Sequence, residues 1–573
     1  MAETLLSPGV LARENDQSFL TAQPVQAGAA IVGPTAKGPT VPTVVTTYSQ
    51  YQNVFGTTVE SGSDVYTYFT SIAAYNYFQQ GGDSLLVARV TNGAYTAASS
   101  SIIPTGSNGP TTGLSPFILE TLSKGAIMNS DSTELSGGAL ESGSSDNLRW
   151  EITGTNTSSG TFSLLIRRGD DTNNSKTVLE TWTGLSLDPK ASNYVARVIG
   201  DQTQTVATDG TTSYVQTTGS YPNASKYVRV SAVNYKTPDY FDNNGTAKAQ
   251  YTGSLPTAAS GTFGAALGTP FSERTANFYE SVSSVDTQGV TGSDYTTMLN
   301  LLGNTDEYQF NIISVPGLNK ADHSSQITTV ISNAQNRGDN IAVVDMDGYG
   351  TALATVVTEA GGMDSSYAAT YWPWVQTIDP DTGDSVWVPA STLIPAVYAF
   401  NDNSTEAWFA PAGFNRGGLS TAIRAERKLT QGDRDTLYNA NINPIATFPS
   451  QGVVVFGQKT LQKRASALDR VNVRRLLIEL KGFISQIGDT LLFDQNTIAT
   501  RNSFLAQVNP YLTSVQQRQG LFAFKVVMDE SNNTADVIDR NELVGAIYIQ
   551  PTKTAEFIYL DFNITPTGAT FPG

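Results

Sequence analysis

The chain has few residues of the types that catalyse reactions, and its single histidine limits them further. His323 is the one histidine in 573 residues, so a serine–histidine–aspartate triad would have to use it. It stands in the polar segment NKADHSSQ, just before a predicted helix, and no G-x-S-x-G nucleophile elbow occurs in the chain. The segment GGLSTA at 417–422 is similar to the serine loop of subtilisin-like proteases. We interpret His323 as a surface or capping residue and predict no catalytic residue.

A second group of residues has the spacing that opens a calcium-binding loop. Asp345, Asp347 and Gly348 lie in VVDMDGYG, but an EF-hand loop needs ligands at five spaced positions and ends in glutamate. Residues 349–352 (YGTA) do not supply them, so we interpret the segment as a turn at a strand end. The absence of cysteine excludes disulfides and thiolate metal sites, and one histidine excludes a poly-histidine site. We therefore predict no metal, no cofactor and no enzymatic activity.

The strongest periodic pattern lies at 464–487. Its apolar residues follow the spacing of one helix face: Val473, Leu476, Leu477, Leu480, Phe483, Ile484 and Ile487. At about 100° per residue, Arg470, Arg474 and Lys481 project within a sector of roughly 40°. Lys463 joins this basic stripe if the helix begins that early. Two interpretations remain open, a core helix with a solvated charged edge and a helix that docks on an acidic surface.

The charge distribution keeps the docking interpretation open. The chain has a net charge of −17, yet seven basic and two acidic residues lie between Lys459 and Lys481. A nucleic-acid-binding protein normally neutralises many phosphates, which an acidic chain would repel. We therefore expect a specific anionic partner and no direct nucleic-acid binding. There is no run of 18 apolar residues and no recognisable leader, so we also predict no membrane partner and assembly in a cytoplasm.

The length predicts two to four domains. Residues 1–24 mix turn-forming and polar residues and are predicted to be an arm that another element captures. The first part of an α/β core follows at 25–92, with strands at 27–32 and 85–90 and helices at 48–55 and 65–78.

A change in composition indicates an inserted domain. From 91 to 115, 14 of 25 residues are Ser, Thr or Gly. Short strand-like runs follow at 148–152, 161–167, 194–199 and 227–234, separated by turn-forming clusters. This rhythm predicts an inserted β domain at 93–252, with a polar outward surface.

The second half of the chain alternates between strands and helices again. The second part of the α/β core is predicted at 253–425, with a strand at 310–315, a helix at 325–336 and a strand at 341–345. A hairpin is expected at 371–391, around the turn DPDTG.

A C-terminal α+β domain is predicted at 426–545. It contains a strand pair at 445–456, the basic helix, and a second helix at 501–518 that Pro510 interrupts. Strands are expected at 543–549 and 556–564, and the range 546–573 forms a final strand and arm. A strand at a chain end is either paired in its own sheet or offered to another subunit.

Several blocks of sequence, in the same order, resemble the sheath proteins of contractile bacteriophage tails. Near the N-terminus these blocks are LLSPGVLARENDQS, AGAAIVGPTAKGP, YQNVFG and YFQQGGDSLLVARV. Farther along they are FNIISVPG, WFAPAGFNRG, ANINPIATFPSQGVVVFGQKTL, DRVNVRRLLIELK and IQPTKTAEFIYLDF. The resemblance covers roughly two thirds of the chain and leaves out the insert at 93–252.

This resemblance implies a structural, force-generating protein of the virion tail. Sheath subunits form hexameric rings that stack helically around an inner tail tube, with the C-terminal domain innermost. The sheath meets baseplate and tail terminator proteins, and its contraction drives the tube through the host envelope for genome delivery. The resemblance also implies a subtilisin-like α/β core without a protease site, and extended arms that exchange strands between subunits.

The resemblance assigns roles to two sets of residues. The basic stripe would face an acidic tube exterior, through Lys463, Arg470, Arg474 and Lys481. Inter-subunit strand exchange would use one residue set from each arm: Ser7, Pro8, Gly9, Val10 and Leu11, and Ile558, Leu560, Phe562 and Ile564.

Three alternatives stay open at this stage. A phage-derived injection device, such as a bacteriocin or a secretion system, would use a similar sheath. A subtilisin-like hydrolase would make His323 essential to a peptidase activity. A surface-layer or adhesin protein would agree with the Ser/Thr/Gly-rich insert, but it needs an export signal that the sequence does not show.

Overall fold

The computed structural model describes residues 25–61, 64–102, 115–130, 133–210, 212–269 and 278–559. Within these ranges, no helix combines the length and apolar character needed to cross a bilayer.

The strands and helices are numbered separately in chain order. The strands are β1 (Val25–Gly33), β2 (Thr43–Val45), β3 (Thr58–Ser61), β4 (Asp64–Thr67), β5 (Leu85–Arg89), β6 (Ala97–Ser101), β7 (Phe117–Lys124), β8 (Leu148–Asn156), β9 (Thr161–Arg168), β10 (Val178–Ser186), β11 (Thr203–Asp209), β12 (Thr212–Thr218), β13 (Val228–Val233), β14 (Ala259–Thr262), β15 (Tyr308–Asn319), β16 (Ile341–Asp345), β17 (Ala368–Trp372), β18 (Val375–Ile378), β19 (Ser385–Val388), β20 (Ala422–Ala425), β21 (Asn443–Phe448), β22 (Gly452–Val455), β23 (Leu521–Val527) and β24 (Ala546–Pro551). The helices are α1 (Tyr48–Phe55), α2 (Phe69–Gln79), α3 (Val195–Ile199), α4 (Ala249–Thr252), α5 (Thr296–Leu301), α6 (Ser324–Arg337), α7 (Leu353–Ala360), α8 (Ile394–Ser404), α9 (Gln431–Asn439), α10 (Val471–Asp489), α11 (Ile498–Gln517) and α12 (Ala535–Asp539).

An eight-stranded sheet forms the centre of the fold, in the order β2-β5-β1-β15-β16-β17-β21-β22. The strands from β5 to β21 run parallel, and the two edge strands are antiparallel to their neighbours. Parallel strands need crossover connections, and these place helices on both faces of the sheet. The alternation of strands and helices in the sequence predicted this arrangement, and the mixed α/β class is confirmed.

The two faces of this sheet belong to two separate hydrophobic clusters. In β1, Ile31 packs into the cluster that contains residues of α2 and α8, whereas Val32 packs into the cluster of α5 and α6. Successive side chains of a strand point to opposite faces, so a strand buried on both sides must be apolar throughout. The run AGAAIV in β1 and the run IAVV in β16 meet this requirement.

The insert has a hydrophobic cluster of its own. A four-stranded antiparallel sheet, β10-β9-β8-β14, and a three-stranded sheet, β13-β7-β6, enclose Trp150, Phe162 and Phe117. Because β14 pairs with β8, this sheet extends past the predicted boundary at 252. The eight-stranded sheet and the helices on its two faces are called the central unit below. The separate hairpin β11–β12 reaches this unit, where Val206 and Val215 pack against the cluster of α5 and α6.

Three local predictions differ from the structure. The run at 194–199 forms the helix α3, because Val195, Ala196 and Ile199 lie on one helical face and Gly200 ends it with φ 108°. The region 65–78 divides into β4 and α2. Helix α11 continues through Pro510, since Val508 and Leu512 are buried on both sides of the proline and their packing outweighs one missing N–H.

Candidate assembly surface

The basic helix is amphipathic, as its periodicity predicted, and it packs against α11. Leu476 and Leu480 of α10 share a hydrophobic cluster with Val508 and Leu512 of α11. Each fully buried side chain of this kind contributes about 1.5–3 kcal/mol. The hairpin β23–β24 packs on this pair of helices, since Phe524 of β23 lies against the same cluster.

Arg474 does not face outward, which corrects the predicted stripe. Its side chain is buried at 4% exposure, and the guanidinium lies 4.0 Å from the ring centre of Tyr367. Its Nε donates to the carbonyl of Ser366 over 3.2 Å, and Nη2 also bonds the Ser366 hydroxyl. Burial lowers the pKa of Arg474, while the nearby Tyr367 opposes the shift. Arg474 therefore fastens the C-terminal domain to the central unit.

The positions of Lys463 and Lys481 also differ from the continuous helical stripe that the sequence predicted. Helix α10 begins at Val471, so Lys463 lies before it and donates from Nζ to the carbonyl of Gly361 over 2.6 Å. Lys481 remains exposed, with Nζ 3.3 Å from the hydroxyl of Tyr367. Among the four predicted cations, Lys481 is the helical residue that stays accessible for a partner.

Arg470 binds a carboxylate of the C-terminal segment. Its Nε and Nη2 donate to the two oxygens of Glu556 over 2.7 and 3.0 Å. The Tyr438 hydroxyl donates to the same carboxylate over 2.8 Å, and Gln458 Nε2 donates over 3.1 Å. Burial raises the pKa of Glu556, but the bonds from Arg470, Tyr438 and Gln458 outweigh it and hold the pKa below its usual value. We call these four residues the C-terminal latch.

Beyond the latch, the chain exposes three large apolar side chains in succession. Phe557, Ile558 and Tyr559 are 69%, 75% and 88% exposed. The predicted strand at 556–564 does not form in its described part, since residues 552–559 have no strand pairing. An isolated extended segment has no partner for its backbone groups, so it does not become a strand until it meets one. Leu560, Phe562 and Ile564 lie outside the described residues, as do Ser7, Pro8, Gly9, Val10 and Leu11.

The strands β23 and β24 form an antiparallel pair with free edges. Phe524 lies opposite Ile549 and Val526 opposite Ile547, and neither strand pairs with any further strand in the described part of the chain. Phe522 and Tyr548, on these strands, are 76% and 62% exposed. Unpaired edges together with exposed apolar side chains are the features that allow another strand to add.

A cavity of about 750 Å³ lies between the C-terminal segment 552–557 and the central unit. Trp408, Phe409 and Phe456 provide apolar lining, and Arg416 and Arg434 stack on aromatic rings beside it. The segment therefore crosses an open groove and is held chiefly by the C-terminal latch.

His323 has a structural environment. The Asn319 main-chain N–H donates to its Nδ1 over 3.3 Å, and Nε2 lies 3.1 Å from the carbonyl of Ser283. Both ring nitrogens thus face main-chain groups, and burial lowers the pKa of His323. Of the two predicted positions, the surface is wrong because this side chain is buried against Gly292. The capping position is right, since His323 is the N-cap residue of α6, although its side chain makes no capping hydrogen bond. In this geometry neither nitrogen is positioned as a general base for a serine.

Asp345 lies at the carboxyl end of β16 and is buried. Its carboxylate accepts from the main-chain N–H of Ser391 over 3.1 Å and from the hydroxyl of the same residue. Burial raises the pKa of Asp345 to about 7, although the bonds from Ser391 oppose this. Within the described ranges, no group of three or more acidic or histidine side chains is arranged to hold a metal ion.

The sequence matches sheath domains over the region that forms this surface. The model for the phage tail sheath protein central domain matches residues 288–461, and that for the phage tail sheath C-terminal domain matches 464–565. These two regions of the chain are phage tail sheath domains by this match. The tail sheath protein of Vibrio phage KVP40 is 38% identical over 240 residues, which are 41% of this chain and 36% of that protein. For the tail sheath protein of Enterobacteria phage T4 the identity is 36% over 230 residues, 40% of this chain and 35% of that protein.

The matched region of this chain thus spans about a third of the length of these curated relatives. Among solved structures, the sheath tail protein Lin1278 from Listeria innocua superimposes with a TM-score of 0.52. The two chains are 12% identical, and the match covers 92% of this chain and 95% of that chain. The similarity therefore shows a shared fold.

Sequence reasoning missed the roles of two residues in the matched domains, Glu556 and Arg475. Glu556 gave no signal because its partner Arg470 lies far away in the chain. Arg475 was counted as part of the basic island, yet it is buried, forms an ion pair with Asp402 and lies 4.7 Å from the ring of Tyr398. At 100° per residue Arg475 projects about 140° from the centre of the apolar face of α10, so the periodicity gave no indication of its burial.

Proposed function

We propose that this chain is the subunit of a contractile tail sheath. Copies assemble into stacked hexameric rings around an inner tail tube, and contraction drives the tube through the host cell envelope for genome delivery. The subunit is made and assembled in the host cytoplasm and resides in the virion tail. Besides other copies of itself, its partners are the inner tube protein, the baseplate and the tail terminator.

The observation that carries this proposal is the position of the open-edged sheet β23–β24 inside the matched C-terminal sheath domain. A polymer needs a surface that accepts another copy and a segment that is offered. The free edges provide the first, and the apolar segment Phe557–Tyr559 provides the second. Main-chain hydrogen bonds across an added strand give strength, while the segment before it can still bend.

Head-to-tail exchange suits a sheath because it does not close on itself. When one subunit offers a segment and accepts another at a different site, the contacts repeat along a helical array. We assign the N-terminal residues 1–24 and the C-terminal residues 556–573 to this exchange. The difference in free energy between an extended and a contracted lattice then drives the movement.

The structure of the central unit favours a load-bearing role over the role of a hydrolase. We assign it a subtilisin-like topology, given its parallel sheet with helices on both faces. The main-chain contacts of both His323 nitrogens favour a structural role over peptidase chemistry. The domain boundaries 25–92, 93–252, 253–425 and 426–545 remain part of the proposal with two changes. Strand β14 is added to the insert, and β21 and β22 are moved from the C-terminal domain to the central unit, because they complete its sheet.

The contact with the inner tube is assigned to the accessible side of α10. Lys481 is exposed there, whereas Arg474 and Arg475 are buried against the central unit. Exposed ion pairs contribute about 0–1 kcal/mol each. Such contacts release readily in contraction, while repetition over many subunits holds the extended state.

Electron microscopy of the purified full-length chain, and of a variant without residues 1–24, tests the proposal. We expect ringed tubes or polysheaths from the full-length chain, and monomers or small rings from the truncated one. An exposed substitution outside the assembly surface, Val285→Ser, serves as a control that should still form tubes. A full-length chain that stays monomeric both alone and with the inner tube protein would contradict the proposal.

A further inference from the structure

A cleft of about 790 Å³ lies between the insert and the first part of the central unit. One wall comes from the segment 39–54, which includes β2 and most of α1. The other comes from β7, the start of β11 and the segment 223–229. Hydroxyl and carboxamide side chains dominate the lining, among them Gln50, Asn53 and Asn223.

The charged side chains of this cleft are mainly cations, although the whole chain is acidic. Lys124, Lys226 and Arg229 line it together with one carboxylate, Glu120. Arg229 pairs with Glu120 over 2.5 Å. Among the described residues, Lys124 and Lys226 form no ion pair, and Lys124 Nζ has the Thr40 hydroxyl at 3.3 Å as its neighbour. Neither lysine therefore has a carboxylate within ion-pair distance in the described part of the chain, although Glu120 lies close enough to act on Lys124.

A third cation lies directly behind the wall, where main-chain carbonyls and the ring of Tyr95 at 4.8 Å surround it. Arg89 is 1% exposed, and its Nη1 donates to the carbonyls of Gly38 and Lys124 over 2.7 and 2.8 Å. No described carboxylate pairs with it, and its Nε has no hydrogen-bond partner there. A buried charge without a counter-ion is costly. Burial lowers the pKa of Lys124, and the cations Arg229 and Arg89 add to this effect while Glu120 opposes it.

We propose that the cleft between the insert and the central unit binds a phosphorylated, hydroxyl-rich ligand of the sugar phosphate class. The phosphate would accept hydrogen bonds from Lys124 and Lys226, so that an anion supplies the counter-charge that the cleft lacks. The hydroxyl and carboxamide lining, with Gln50, Asn53 and Asn223, suits the ring hydroxyls of a sugar. This binding function is separate from polymerisation.

Isothermal titration of the full-length chain at low salt tests the proposal, with glucose 6-phosphate as the probe. We expect saturable binding that Lys226→Ala weakens by about tenfold, as expected from the loss of one charge-assisted hydrogen bond. Lys226 is exposed, so this substitution leaves the fold intact. Lys190→Ala removes the same charge from the insert outside the cleft and should leave binding unchanged.

Two further probes separate the phosphate from its carrier. Inorganic phosphate should bind more weakly than glucose 6-phosphate, and glucose should bind more weakly than either. Equal affinities for phosphate and glucose 6-phosphate would overturn the recognition of a hydroxylated carrier. Absence of binding, or equal loss in Lys226→Ala and Lys190→Ala, would overturn the site itself.

Discussion

The C-terminal latch provides the sharpest test of how this chain presents its C-terminal segment. Glu556→Gln keeps the shape of the side chain and removes its charge, so that Arg470 loses a paired carboxylate. The two side chains are 18% and 24% exposed, which places the pair between a surface and a buried ion pair. Surface pairs contribute about 0–1 kcal/mol, and breaking a buried pair costs about 3–5 kcal/mol.

From these limits we expect the substitution to cost about 2 kcal/mol. The substitution should lower the free energy of docking of the segment 552–559 and leave the global free energy of unfolding unchanged, because few other contacts hold this segment. A difference of 2 kcal/mol changes the ratio of docked to released segment by about 30-fold. The Thr552 N–H, which donates to the carbonyl of Gly520 over 3.2 Å, lies at the root of the segment and reports on its release.

Hydrogen–deuterium exchange measured by mass spectrometry would detect this release. The amide of Thr552 should exchange about 30-fold faster in Glu556→Gln under conditions where the exchange rate follows the opening equilibrium, while the peptides of α10 stay protected. Glu542→Gln is the matched control, because it removes the same charge from a pair with Arg540 that is exposed on both sides. It should leave exchange at 552–559 unchanged.

The pH dependence of the latch has a definite sign. Since the folded-state pKa of Glu556 is lowered, its stabilisation is complete above the ordinary glutamate value of 4.5 and is lost as the pH falls through the lowered pKa. The wild-type segment should therefore open on acidification below pH 4.5, and Glu556→Gln should not respond. Equal exchange in wild type and Glu556→Gln at pH 7 would refute the reasoning, because the carboxylate would then contribute nothing to docking.

Three further predictions concern other parts of the structure. Because burial raises the folded-state pKa of Asp345 to about 7, stability should fall as the pH rises from 5 to 8, by roughly 3 kcal/mol, and Asp345→Asn should remove this slope in urea unfolding. Phe522→Ser should leave monomer stability unchanged and raise the critical concentration for polymerisation about tenfold in sedimentation assays. Val285→Ser is the control, because Val285 is equally exposed and its substitution should have no effect. Asp402→Ala leaves the Arg475 guanidinium buried and unpaired. Because the Asp402 carboxylate is 38% exposed and partly screened by solvent, we expect the free energy of unfolding, measured in urea, to fall by about 2 kcal/mol.

Local structure was largely predictable from the sequence where short-range signals agree. Helix α1 has the predicted bounds because Thr47 caps it, accepting from the Gln50 N–H over 3.1 Å, and Gly56 ends it. Strand β16 also has the predicted bounds, since an apolar run of its length between polar turns suits a strand buried on both faces. In α3, which has five residues as β16 does, periodicity could not separate helix from strand.

The role of charged residues was less predictable, because periodicity gives the direction of a side chain on its helix and not what lies opposite. Arg474 and Lys481 were placed on the same stripe, yet one is buried against Ser366 and Tyr367 and the other is exposed. That difference depends on where the central unit packs against α10. The tube-facing role of the stripe and the strand exchange by both arms remain predictions.

Patterns in the sequence alone predicted the alternation of strands and helices, the amphipathic character of α10 and the similarity to phage tail sheath proteins. All three follow from patterns that neighbouring residues carry. Tertiary structure alone decided which cations are buried, that Glu556 binds Arg470, and that three cations share a cleft with one carboxylate. The physical reason is that an electrostatic interaction depends on distance and burial in space, and these are set by the packing of segments far apart in the chain.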